Sequence, residues 1–138
     1  MKTIHIISVF LLVLLSVSCK DQEILRNEES GLVGKWKLVE YLADPGDGSG
    51  TWQPVSDELS HTIEFHADGR FTEVKGKALS SVPLFKAYKL KDGNLIEMLP
   101  IDESTDSHIW TYTDLSATKL TLSYGCIEAC GGKYVSVK

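Results

Sequence analysis

The chain has 138 residues, with 14 basic against 19 acidic side chains and a formal net charge of −5. A mildly acidic chain with no basic cluster has no electrostatic footprint for nucleic acid, and it lacks the polybasic patch that holds anionic lipid heads. The length suits one domain behind a leader, enough to bury a core without metals or a dense disulfide net.

Residues 1–18 read as that leader. Lys2 precedes a stretch from Thr3 to Ser18 that is apolar or small except for His5 and carries no formal charge. After Cys19 the chain turns abruptly polar, Lys20-Asp21-Gln22-Glu23. A positive start, an apolar run and small residues before a break form a secretory signal. The run is shorter than the roughly 20 residues that cross a bilayer. Ser16-Val17-Ser18 ahead of Cys19 resembles a bacterial lipoprotein signal, although a leucine is more usual where Ser16 stands. The resemblance implies that Cys19 is lipidated and becomes the mature N-terminus; plain secretion is the alternative. It also implies that the protein meets the membrane through the lipid on Cys19 alone. The charged residues 20–23 resemble the short signal that sends some lipoproteins to the outer face of the outer membrane, so an outer-membrane, surface-exposed location is expected. Residues 19–31 have few apolar groups and read as the lipidated cysteine and a flexible tether with a short helical turn.

From residue 32 onward short β-like runs alternate with turns. Residues 33–42 place Trp36 and Leu38 on one face and Lys35 and Lys37 on the other. Residues 61–66 alternate Ile63 and Phe65 against Thr62 and Glu64. Asp68-Gly69 marks a hairpin into 70–76. Residues 84–90 follow, and Asp92-Gly93 turns the chain into 95–99. Residues 107–115 and 119–124 make a further pair, and 133–137 close the chain. Eight short strands with short connections indicate an all-β fold, and in-order pairing through hairpins indicates an up-and-down antiparallel barrel over 32–138. The one long connection, 43–60, carries Pro45-Gly46-Asp47-Gly48-Ser49-Gly50. Its position between the first two strands suits a lid, with Asp44, Asp47 and Trp52 as its candidate contacts.

Three cysteines leave one odd in an exported protein. With Cys19 lipidated, Cys126 and Cys130 remain as an even pair across Ile127-Glu128-Ala129. Residues opposed across such a turn can reach the Cα separation of roughly 4.4–6.8 Å that a disulfide requires. A structural disulfide is the expectation; a reduced or metal-binding pair is the alternative. A catalytic dithiol more often has two intervening residues and a helix start.

Gly34-Lys35-Trp36 at the head of the first strand resembles the Gly-x-Trp of lipocalins. With Asp44-Pro45-Gly46-Asp47-Gly48-Ser49-Gly50-Thr51-Trp52, Ile63-Glu64-Phe65, Asp68-Gly69-Arg70-Phe71 and Cys126-Ile127-Glu128-Ala129-Cys130, it makes 32–138 similar to the lipocalin-like domains of bacterial lipoproteins. The resemblance implies a barrel that binds a small hydrophobic or amphipathic ligand without catalysis. Thr113-Asp114-Leu115 stands where the wider lipocalins have Thr-Asp-Tyr, and no arginine lies in the last strand.

No other pattern points to chemistry. His61 and His66 are five apart and so face opposite ways within a strand, where they cannot share a metal unless the strand is bulged. His108 falls on the face of Trp110 and Tyr112. Asp44, Asp47 and Ser49 are too sparse for a calcium loop, and residues 46–50 lack the Lys-Ser/Thr end of a phosphate cradle. No catalytic residue, metal or cofactor is expected. Trp36, Phe65, Tyr88, Trp110, Tyr112 and Tyr124 are the candidate barrel lining. An eight-stranded barrel is just wide enough either to be filled by such side chains or to hold one small ligand. The expected function is therefore ligand binding by a monomer, with a packed barrel acting as a structural or protein-interaction module as the alternative.

Overall fold

The computed structural model describes residues 20–24, 26–74 and 84–138; the leader and Cys19 lie outside the described residues. Among the described residues nine antiparallel strands form one sheet: β1 (Gly34–Ala43), β2 (Thr51–Pro54), β3 (Thr62–Phe65), β4 (Phe71–Val74), β5 (Phe85–Leu90), β6 (Leu95–Pro100), β7 (His108–Thr113), β8 (Lys119–Ser123) and β9 (Cys130–Val137). Their lateral order is β4-β3-β1-β9-β8-β7-β6-β5, with β2 against β1. Eight of them make the expected up-and-down barrel, because the last strand returns to the first. The barrel is nearly closed. At the seam, Arg70 bridges Ala87 and the Tyr88 N–H donates to the Gly69 carbonyl at 2.8 Å.

The ninth strand comes from the long connection. β1 pairs with β3 through Gly34–Lys37 and with β2 through Glu40–Ala43, so two short strands share one edge of β1. A bulge against β9 between Leu38 and Glu40 marks the handover. There the Ser60 hydroxyl donates to the Leu38 carbonyl at 2.6 Å, and the Val55 N–H donates to the Val39 carbonyl. The extra residue flips the alternation. Leu38 and Tyr134 point inward, while Glu40 and Lys133 pair on the outer face.

The interior is filled towards the end where β1 begins. Leu32, Trp36, Phe65, Phe71, Tyr88, Ile96, Met98 and Leu120 are buried there in one cluster. The Trp36 indole N–H donates to the Leu32 carbonyl at 2.9 Å. The Tyr88 hydroxyl donates to the His66 carbonyl, also at 2.9 Å. Residues 20–24 and 26–29 are helical. Asn27 is only 2% exposed, with its amide donating to the Ala67 carbonyl at 2.9 Å. The later part of the stretch expected to be a tether thus docks against this closed end.

Candidate functional site

The opposite end of the barrel holds a cavity of about 300 Å³. Strand alternation assembles it. His61 precedes β3 and shares the inward face of Ile63 and Phe65, and the Leu38 N–H, donating to the His61 carbonyl at 2.9 Å, fixes its backbone. Glu73 sits opposite Ile63 in the β3–β4 ladder and points inward with it. From the far wall come Phe85 of β5, His108 and Trp110 of β7, Tyr124 just after β8 and Tyr134 of β9.

The rings form a continuous aromatic wall. Phe85 meets Trp110 edge to face at 5.4 Å between centroids, and Trp110 meets Tyr124 at 4.9 Å. Phe85 also touches His108 at 5.5 Å, edge on. Such tilted and edge-to-face pairs are the arrangements that aromatic quadrupoles favour.

A polar chain crosses the apolar wall. The Tyr124 and Tyr134 hydroxyls share a hydrogen bond of 2.6 Å. Tyr134 reaches His61 Nε2 at 3.4 Å, and His61 Nε2 lies 3.6 Å from Glu73 Oε1. The His61 and Glu73 side chains are only 16% and 13% exposed. Burial pushes the Tyr124 phenol up to about 12, despite its hydrogen bond to Tyr134, with the Glu73 charge adding to the rise. Burial likewise holds the Tyr134 phenol well above its ordinary range, reinforced by Tyr124 and Glu73. Both phenols therefore keep their protons and act as neutral donors and acceptors. At the rim, Cys126 is bonded to Cys130 with the two Cα atoms 5.9 Å apart, so the expected disulfide is formed and its sulfurs are not thiols.

The six lining candidates divide between core and cavity. Trp110 and Tyr124 line the cavity. Trp36, Phe65 and Tyr88 are buried in the filled part, and Tyr112 packs against it. The three lid candidates line no part of the cavity. Asp44 instead organises its own loop: its carboxylate accepts from the N–H groups of Gly46 at 2.8 Å, Gly48 at 3.1 Å and Gly50 at 2.8 Å. Those bonds, led by Gly50, hold its carboxyl below the usual carboxylate range. Asp47 similarly accepts from the Ser49 N–H at 2.9 Å. Trp52 lies on the outer face, over Gly131 and with the Lys133 ammonium 4.5 Å from its ring centroid.

Among the described residues no cluster of three His, Cys, Asp or Glu side chains is arranged to hold a metal. His66 faces outward, as the spacing required, with Nε2 3.3 Å from the Thr72 hydroxyl. No family model matches the chain, and no curated protein or solved structure is significantly similar to it.

His61, Ile63, Glu73, Leu84, Phe85, His108 and Tyr134 also line the cavity and are not among the candidates read from the sequence. Alternation carried the signal for two of them: His61 is two residues before Ile63, and Glu73 two after Phe71. Tyr134 lay inside the expected strand 133–137, but Gly131-Gly132 concealed that the strand starts at Cys130.

Proposed function

We propose that the protein is a lipid-anchored envelope protein whose barrel holds a small amphipathic ligand without chemical change. One observation carries the binding half of this reading: an aromatic cavity crossed by a connected polar chain lies at the end of an otherwise filled barrel. Ligand sites combine apolar walls with a few placed polar groups, and roughly 300–1,000 Å³ is their usual volume. A cavity of about 300 Å³ is at the low end, so the occupant is a compact molecule or one end of a longer one. The anchoring half rests on the leader and Cys19. The resemblance to lipocalin-like lipoproteins supports both halves. Mass spectrometry of solvent extracts from the purified mature protein tests the binding half. The expected result is one small molecule at near-stoichiometric amount, displaced when Trp110→Ala removes the central ring. An extract with no small molecule, from protein expressed in its natural host, would refute it.

A further inference from the structure

On the reading that the cavity binds a small molecule, the shape of its wall and one hydrogen-bonding position in it narrow the class of ligand. The rings along the wall are tilted against one another. Phe85 and Trp110 meet at 5.4 Å and 83°, Phe85 and His108 at 5.5 Å and 70°, and Trp110 and Tyr124 at 4.9 Å and 57°. Behind them Phe71, in the filled part, meets Trp110 at 5.9 Å and 89°. A further ring placed in the cavity continues this packing, edge against face. It gains the quadrupole attraction that such pairs have beyond the area they bury. A saturated body of the same size fills the space without that gain.

The hydrogen-bonding position is Tyr124. Its ring lines the cavity, and among the described residues its hydroxyl has one partner, the Tyr134 hydroxyl at 2.6 Å. A phenol has one proton to donate and two lone pairs that accept. If Tyr124 gives its proton to Tyr134, its lone pairs remain for a ligand. If Tyr134 is the donor, the Tyr124 proton remains instead. A ligand carbonyl could use only the second arrangement. A ligand hydroxyl uses either, because it both donates and accepts. Burial keeps both phenols protonated, so this capacity persists throughout the neutral range.

We propose that the cavity selects a compact hydroxylated aromatic molecule, with its ring packed into the Phe85–Trp110–Tyr124 wall and its hydroxyl bonded to Tyr124. The rings set specificity for a flat, unsaturated body, and Tyr124 places the hydroxyl.

Isothermal titration of the mature protein with three uncharged probes tests this: 2-phenylethanol, 2-cyclohexylethanol and propylbenzene. Uncharged probes keep the charge on His61, His108 and Glu73 out of the comparison. The saturated alcohol is the more hydrophobic of the two alcohols, so burial alone would rank it first. 2-Phenylethanol should nevertheless bind at least about threefold more tightly, the ratio that about 0.65 kcal/mol of ring–ring attraction produces. Tyr124→Phe keeps the ring and removes the oxygen. It should weaken 2-phenylethanol by about fivefold, within the range of one hydrogen bond, and leave propylbenzene within about twofold of the unaltered protein. If Tyr124→Phe does not fold, the ratio of the two alcohols in the unaltered protein decides alone. Equal or tighter binding of 2-cyclohexylethanol, or a Tyr124→Phe variant that holds 2-phenylethanol undiminished, would overturn the inference and leave the binding reading standing. Failure of all three probes also overturns it. The binding reading falls only if the native extract is empty as well.

Discussion

Gly132 shows how closely the polar chain is built into the wall. It faces inward between Tyr124 and Tyr134, and a Cβ there would lie 2.7 Å from Leu38 Cδ1 and from Tyr134 Cε2, and closer still to the Tyr124 hydroxyl. Only hydrogen leaves room for the two rings to meet. Gly132→Ala should therefore force the rings apart, at a cost of roughly 1–3 kcal/mol for overpacking a filled site. Urea unfolding of this variant checks the magnitude, and loss of ligand retention should accompany it because the Tyr124–Tyr134 bond lies in the cavity wall. A variant as stable as the parent would mean that the wall can relax without strain. The same residue explains why part of the site was illegible. A glycine pair inside a strand has low β propensity, so the sequence pattern began the last strand at 133 where the structure begins it at Cys130. Trp36 and Leu38 were legible for the opposite reason: alternation with lysines leaves only one face to bury. His61 and Glu73 carried the right alternation, but polar side chains on a barrel's inward face run against the pattern that marks a core.

At the level of elements, hairpin turns decided most of the topology. Asp68-Gly69 and Asp92-Gly93 join β3 to β4 and β5 to β6, and Gly69 and Gly93 both adopt positive φ, 84° and 75°. A glycine adopts that conformation without strain, which is why these dipeptides are dependable in sequence. β2 was missed because four residues ending in Pro54 inside a glycine-rich connection give too short a pattern, and its pairing to β1 is set by tertiary contact. The strands are also unequally held. β9 is bonded on both sides, through eight register positions to β1 and five to β8. β5 is bonded fully to β6, but among the described residues its link to the β4 side consists of the Arg70–Ala87 bridge and the Tyr88–Gly69 bond. Local opening follows such differences in hydrogen bonding and contact density. Hydrogen exchange should find the β9 amides among the slowest, and the β5 amides directed at β4, apart from Tyr88, among the fastest of any strand. Equal protection on both sides of β5 would mean a seam as firm as the rest of the barrel.

For the whole molecule, the two ends of the barrel are packed differently. The chain enters at the filled end, where Asn27, Leu32 and Trp36 close the interior. The cavity opens at the other, where the β4–β5, β6–β7 and β8–β9 connections lie. Exposed Leu84, Ile101 and Ile127 stand near that opening. At about 3.3 Å per residue, and with the tilt of about 40° usual in barrels, the ten-residue β1 spans about 25 Å along the barrel axis. If Cys19 carries the lipid, the short stretch 20–33 brings the filled end to the membrane and directs the cavity to the aqueous side. A ligand would then reach the cavity from solution. Energy transfer to acceptor-labelled lipid heads tests this orientation. One donor is attached at Ala117→Cys in the β7–β8 connection of the filled end, and another at Asp106→Cys near the opening; both positions are exposed. On vesicles bearing the lipidated protein, transfer should be markedly greater from position 117 than from position 106. Cys19→Ser should abolish both signals if that one residue supplies the whole attachment. Equal transfer would mean a barrel lying on its side, and greater transfer from position 106 would turn the cavity towards the lipid and remove the reason to expect a water-borne ligand.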